Sequence, residues 1–103
     1  MEENILGRHL RILAYLREAE PEAPSRYEIG HALGLTYRQV VPYVEDLCDW
    51  GFAKLEKTHD GKREVHLHSL TRAGREVADD AIKLAVGAKR HREAHQKAKK
   101  THE

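Results

Sequence analysis

The chain has 103 residues and a formal net charge of +1; 40% of its residues are hydrophobic and 34% are charged. This length accommodates one domain with a modest core and excludes a second, catalytic domain, while the composition is typical of a soluble globular protein. No apolar stretch approaches the roughly 20 residues that span a bilayer, and the N-terminus lacks the layout of a signal peptide, so we expect a cytoplasmic protein without a membrane contact.

The charge is distributed unevenly along the chain. Residues 1–88 contain twelve basic and fifteen acidic side chains, whereas residues 89–103 contain six basic and two acidic ones. The last segment contains no large apolar side chain. We therefore predict a folded domain over residues 1–87 and a basic tail over residues 88–103, which either extends a helix into solvent or is disordered.

The first half of the chain predicts three helices. Apolar residues recur at helical spacing over residues 4–19, and two prolines end that segment within residues 20–24. Ser25 and Thr36 each begin a capping box, with Glu28 and Gln39 as the respective third residues. Gly34 suits the left-handed position that closes a short second helix. Two capped helices joined at a glycine predict a helix-turn-helix.

The second half predicts a hairpin followed by a helix. Gly51 ends the third helix, and residues 52–57 alternate apolar with polar side chains. Residues 59–62 contain Asp-Gly and predict a hairpin tip, with the returning strand ending near Leu70. Thr71 is the expected cap of a fourth helix with one modest apolar stripe. We predict an α+β winged helix-turn-helix: a three-helix core, a two-stranded wing and a C-terminal helix.

Several segments resemble the PadR branch of the MarR-like regulators. Residues 12–16 resemble the apolar run of the first helix in that family, and residues 26–29, Arg-Tyr-Glu-Ile, resemble its Gly-Tyr-Glu-Leu stretch. Residues 41–47 with 51–52 resemble the family's Tyr-Pro-Ala-Leu, Leu and Gly-Leu pattern, including a proline inside the third helix. Residues 70–75 resemble the Leu-Thr-x-x-Gly segment that follows the wing. The resemblance implies a dimeric transcriptional regulator.

A recognition helix in this position presents its N-terminal residues to the major groove. Arg38 is the strongest candidate for a base contact, since arginine forms bidentate hydrogen bonds with guanine. Val41 and Pro42 are expected near thymine methyl groups, and Arg26 near a phosphate. Glu45 and Asp46 lie on the same helix and would repel phosphates. The predicted DNA-binding residues are Arg26, Thr36, Tyr37, Arg38, Val41, Pro42, Lys57, His59, Lys62 and Arg63.

Four other residues are interpreted as structural. Gln39 is assigned to the capping box rather than to a base, Tyr27 to the core, and Trp50 to packing. The single cysteine, Cys48, is interpreted as a packing residue, and its isolation agrees with a reducing compartment.

The chain contains eight histidines, which are possible metal ligands. His66 and His68 share a strand face, and His91 and His95 share a helix face, but neither pair has an evident third ligand. We interpret them as exposed histidines that make binding pH-dependent at most. We expect no cofactor, no metal and no catalytic residue.

The sequence favours a sequence-specific regulator of double-stranded DNA that forms a homodimer through its first and C-terminal helices. Two alternatives are also consistent with the sequence. One is a winged-helix protein-interaction module, because the body of the domain is slightly acidic. The other is a metal- or pH-responsive regulator.

Overall fold

The computed structural model describes the backbone of residues 6–101 and the side chains of residues 6–94. It contains four helices and one hairpin within these residues. Their order is α1(Arg8–Ala19), α2(Arg26–Leu33), α3(Tyr37–Asp49), β1(Ala53–Asp60), β2(Arg63–Leu70) and α4(Arg72–Thr101). The predicted winged helix-turn-helix is confirmed. No helix in the described part of the chain is long and apolar enough to cross a membrane.

The first helix begins later than predicted. Leu6 is buried in a bend, Gly7 is the N-cap, and α1 starts at Arg8. Gly7 supplies no side-chain hydrogen bond to the free amides of the first turn. Residues 4 and 5, with which the predicted helix began, lie outside the described residues.

Local hydrogen bonds define the helix-turn-helix as the sequence predicts. The Ser25 hydroxyl accepts a hydrogen bond from the amide of Glu28 at 3.2 Å, and the Glu28 carboxylate accepts one from the amide of Ser25 at 2.8 Å. Gly34 closes α2 in the left-handed conformation, with φ at 72°. The Ser25 cap satisfies amides at the start of α2, and the N–H of Gly34 donates to the Gly30 carbonyl at its end, so both ends of α2 are defined.

The wing is a regular antiparallel hairpin. Its register pairs Ala53 with Leu70 at the base and Asp60 with Arg63 at the tip. The connection is therefore the two residues Gly61 and Lys62, with Gly61 at a φ of 68°. The strands extend further than predicted, because the segment assigned to the tip at residues 59–60 still pairs with β2.

One core joins the elements. It is built from apolar residues of α1, α2, α3, both strands and the start of α4. Gly74 allows a close approach there: a Cβ at this position would lie 1.8 Å from the Phe52 carbonyl oxygen. The core residues are Ile12, Leu13, Leu16, Ile29, Val40, Val44, Leu47, Ala53, Leu70 and Ala78.

Thr71 links the wing to α4. Its hydroxyl donates a hydrogen bond to the Gly51 carbonyl at 2.6 Å and accepts one from the amide of Gly74 at 3.0 Å. The predicted cap of the fourth helix therefore also ties that helix to the end of α3.

An ion-pair network anchors α4 on α1. Glu20 accepts hydrogen bonds from Arg75 at 2.9 Å and from Arg17 at 2.7 Å, and Arg17 also donates to Asp79 at 2.8 Å. The hydrogen bonds from Arg75 hold the pKa of Glu20 below its ordinary value. The pair Arg17–Asp79 lies earlier in α1 and later in α4 than the pair Glu20–Arg75, so the two helices are antiparallel.

The fourth helix extends past the rest of the domain. It spans 30 residues, whereas α1 spans 12, and the molecule measures 63 by 26 by 22 Å. With Arg17 beside Asp79, α1 reaches its first residue at about residue 88 of α4. The basic segment continues the helix to Thr101, which agrees with the helical alternative for the tail. The division of the chain at residue 87 stays a prediction.

Candidate nucleic-acid interface

The start of α3 is held by its own capping box. The Thr36 hydroxyl accepts a hydrogen bond from the amide of Gln39 at 3.1 Å, and the Gln39 side-chain oxygen accepts one from the amide of Thr36 at 2.9 Å. The assignment of Gln39 to this cap is confirmed. The first turn of α3 is consequently fixed before any partner binds.

One exposed stripe runs along α3 opposite the core. Arg38 and Pro42 are exposed and Val41 is half-buried, whereas Val40 and Val44 face the interior. The helical period places Glu45 two turns after Arg38 on the same stripe, and it is also exposed. The stripe thus carries a cation at its N-terminal end and a carboxylate toward its C-terminal end.

The wing presents a mixed set of charges. Lys57, His59 and Lys62 are exposed, as is Arg63 at the start of β2. Glu64 hydrogen-bonds to His66, with 3.2 Å between Oε1 and Nε2, which lowers the pKa of the Glu64 carboxyl and keeps it ionised. A phosphate near the wing would meet lysines and arginine beside this carboxylate, so only part of the positive charge is available to it.

An aromatic stack connects the wing to both helices of the helix-turn-helix. The rings of Tyr27 and Tyr37 lie 4.6 Å apart, and the guanidinium carbon of Arg63 lies 5.2 Å from the centre of the Tyr27 ring. Tyr27 is 55% exposed, so its assignment to the core was wrong. The sequence contained the signal: the face that α2 buries carries Arg26, Ile29 and Gly30 at helical spacing, and residue 27 lies off that face.

Arg26 does not fit the predicted phosphate contact. It is buried, at 7% exposure, and its Nε donates a hydrogen bond to Nε2 of His68 at 3.1 Å. The other ring nitrogen of His68 lies 3.9 Å from the sulfur of Cys48. Burial, followed by the charge of Arg26, lowers the pKa of His68 to about 4, so the imidazole is neutral and accepts from the guanidinium.

Cys48 behaves as a packing residue. It packs against the core, and burial raises the pKa of its thiol. The charge of Arg26 lowers that pKa, whereas the charges of Asp49 and Glu45 raise it further. The thiol form is a weak nucleophile.

Trp50 is not packed in the interior. It ends α3 with 55% of its surface exposed, and its ring lies 4.8 Å from that of His9. His9 in turn contacts Asp46, with 2.9 Å between Nε2 and Oδ2, and meets the ring of Tyr43 edge-on at 4.8 Å. Asp46 therefore faces α1 rather than the exposed stripe of α3.

No group of three possible metal ligands occurs among the described residues. The Nε2 atom of His68 is engaged by Arg26 and that of His66 by Glu64, which removes the first pair from consideration. The interpretation of His68 as an exposed histidine was wrong. His91 is exposed, and the side chain of His95 lies outside the described residues.

No family model matches the sequence, and no curated protein matches it either. Solved structures with the same fold are numerous. The Staphylococcus aureus MepR–DNA complex superposes with a TM-score of 0.71 at 15% identity, over 96% of this chain and 79% of that one. The adhesin competence repressor AdcR of Streptococcus pyogenes gives a TM-score of 0.73 at 15% identity, over 93% and 69% of the two chains.

The Bacillus subtilis PadR complex with operator DNA is similar at 26% identity and a TM-score of 0.61. The match covers 71% of this chain but only 46% of that one. These similarities establish the winged-helix fold that the sequence resemblance implied. The names of these three structures describe a repressor and two complexes with DNA.

Proposed function

We propose that the chain is a sequence-specific regulator that binds double-stranded DNA, with α3 in the major groove and the wing on the flanking backbone or minor groove. The observation that carries this proposal is the exposed stripe of α3, which begins at a fixed cap and places Arg38 opposite the buried face. An arginine on the first turn of a recognition helix reaches the base edges that identify guanine.

The proposed contacts differ from the sequence prediction at three positions. Arg26 is omitted because it is buried against His68. Thr36 contributes as the cap that orients the helix, and Tyr37 belongs to the aromatic stack beside it. The remaining contacts are Arg38, Val41 and Pro42 from the helix, and Lys57, His59, Lys62 and Arg63 from the wing.

We also propose a homodimer formed through α1 and α4. Leu84 and Val86 on α4 are 51% and 44% exposed, although they are large and apolar. Exposed apolar side chains of this size favour burial against another surface. Because positions i and i+2 do not share a helix face, these two residues would contact different parts of a partner. A symmetric dimer places two copies of α3 on half-sites about one DNA turn apart.

The experiment compares Arg38→Ala with Lys62→Ala on a site selected from random DNA and on scrambled DNA, across a salt series. If Arg38 reads a base, its loss weakens the selected site by about 1 to 3 kcal/mol and relaxes preference at one base pair. If Lys62 contacts phosphate, its loss weakens both DNAs equally and reduces the salt slope by roughly one.

Sedimentation equilibrium on the same samples gives the number of chains per duplex. Equal and small effects of both substitutions would contradict reading by α3. Wild-type protein that shows no salt-dependent binding would point instead to a protein-interaction module.

A further inference from the structure

The aromatic stack lies where three elements of the proposed interface meet. Tyr27 is the second residue of α2, Tyr37 is the first residue of α3, and Arg63 is the first residue of β2. Their contacts, at 4.6 Å between the rings and 5.2 Å from guanidinium to ring, are the only ring contacts that join the wing to α2 and α3 among the described residues.

The stack is too exposed for its contribution to the stability of the fold to explain it. Tyr27 is 55% exposed and Tyr37 39% exposed, so neither ring buries most of its apolar surface. A cation over an exposed ring stabilises a fold only weakly. The position that the stack gives to the Arg63 side chain therefore explains the arrangement better than the apolar surface that the stack buries.

The stack holds the guanidinium of Arg63 in place without using the hydrogen-bond donors of that group. Arg63 forms no ion pair or side-chain hydrogen bond within the part of the chain that the structure describes, although Asp60 is its partner across the strands. Attraction to the electron-rich face of a ring leaves the N–H groups of the guanidinium available to a second partner. Guanidinium groups bind phosphate through two such donors.

We propose that Tyr27 is a positioning residue for DNA binding: it holds Arg63 over its ring as a preorganised phosphate contact. This inference rests on the proposed function. It assigns Tyr27 an effect that passes through Arg63, because the ring and not the hydroxyl makes the contacts.

A double-mutant cycle tests the link. Tyr27→Leu weakens binding to the selected duplex by about two- to fivefold in the wild-type background, as expected for the loss of one cation–ring contact. Tyr27→Leu causes no further loss when Arg63 is already Met, since its effect requires the guanidinium. Tyr27→Phe keeps the ring and restores wild-type affinity.

The chain offers a matched control for Arg63→Met. Arg8 lies over the ring of Tyr43 at the middle of α3, with its guanidinium carbon 5.6 Å from the ring centre, and its Nη1 atom donates a hydrogen bond to the Tyr43 hydroxyl at 3.2 Å. Arg8→Met removes the same charge and a cation–ring contact, together with this hydrogen bond, away from the first turn of α3. It should leave the salt slope unchanged, whereas Arg63→Met lowers that slope by roughly one.

The outcomes separate the inference from the function on which it rests. Additive losses for Tyr27→Leu and Arg63→Met, or a Tyr27→Phe variant as weak as Tyr27→Leu, would overturn the positioning role while duplex binding by the wild type stands. Absence of duplex binding by the wild type would overturn the proposed function and this inference together. Circular dichroism at the assay temperature establishes that each variant is folded.

Discussion

Pro42 occupies the middle of α3, where a proline ordinarily destabilises a helix. It has no N–H group to donate to the carbonyl of Arg38 four residues earlier, and its side chain is exposed rather than packed in the core. The missing hydrogen bond leaves that carbonyl as an acceptor on the stripe that also carries the Arg38 side chain. The amino group of a cytosine or an adenine in the major groove can donate a hydrogen bond to such a carbonyl.

Replacement of this proline separates stability from recognition. Pro42→Ala restores the hydrogen bond within the helix and should raise the free energy of unfolding by about 1 to 3 kcal/mol. The same change occupies the Arg38 carbonyl and should alter the preferred DNA sequence. Urea denaturation measures the first effect, and Arg38→Ala is the control, since arginine and alanine have similar helix propensities. An unchanged midpoint for Pro42→Ala would contradict this account.

His68 makes stability depend on pH. It is neutral and buried in the folded state, where its pKa is lowered to about 4, whereas in the unfolded chain it protonates near 6.5. Between these values the unfolded state binds the additional proton, so stability falls as the pH decreases from about 6.5 toward 4 and is unaffected above that range. The loss from this residue amounts to about 3 kcal/mol at pH 4.

Urea denaturation at a series of pH values checks this expectation. His68→Gln should flatten the pH dependence between 6.5 and 4, whatever its effect on stability at pH 7. His59→Gln is the matched control, because His59 is exposed on the wing. Wild-type and His68→Gln curves of equal slope would assign the pH dependence to other groups.

The role of a residue could be predicted from the sequence where its partner lies near in the chain. It could not be predicted where the partner is distant in the sequence. The caps at Ser25 and Thr36 depend on residues three positions away, so their pattern is visible in the sequence. Arg26 is buried because it meets His68, which is 42 residues away, and the sequence gives no indication of that pairing. The exposure of Trp50 likewise depends on where α1 places His9.

At the scale of elements, the position of α4 depends on a glycine close to the wing. Gly74→Ala places a methyl group 1.8 Å from the carbonyl oxygen of Phe52, and backbone on both sides has to shift. We expect a loss of about 3 kcal/mol or more, at the upper end of the cost of overpacking. Thermal and urea denaturation measure it.

The same helix provides the control for this substitution. Gly87 has no atom within 4 Å of a Cβ added there, so Gly87→Ala should raise the free energy of unfolding by roughly 0.5 to 1 kcal/mol through helix propensity alone. A similar change in the free energy of unfolding at both positions would mean that the contact with Phe52 does not exclude a side chain at residue 74.

The elements themselves were more predictable than their lengths. Periodicity and turn residues identified four helices and two strands in the right order. The hairpin tip was assigned two residues too early, because His59 and Asp60 have polar side chains although they pair with β2. Backbone pairing does not require apolar side chains on an exposed strand, so polarity alone misplaces its end.

At the scale of the molecule, the basic end of α4 extends beyond the start of α1. Side chains 89–94 are exposed, and the helix passes the start of α1 at about residue 88. Truncation after Ala88 should leave the melting temperature nearly unchanged. It should weaken binding to selected and scrambled DNA alike and reduce the salt slope, since phosphate contacts carry no base information.

Thermal denaturation measures the melting temperature of the full and the truncated chain, and isothermal titration across a salt series measures their binding and salt slope. A large fall in melting temperature would show that the segment belongs to the core or to a subunit contact. A truncated chain with an unchanged salt slope would remove the tail from the proposed DNA contacts.

The ion-pair network between α1 and α4 fixes the angle at which α4 leaves the domain. Glu20, Arg17 and Arg75 hold α4 near its start, α1 runs beside it to about residue 88, and from there the helix extends about 20 Å further to Thr101. A change of roughly 10° in that angle would displace the end of the helix by about 3 Å, close to the spacing of one base pair. A small change in the packing of α1 would thereby move the basic segment by a distance on the scale of the DNA register.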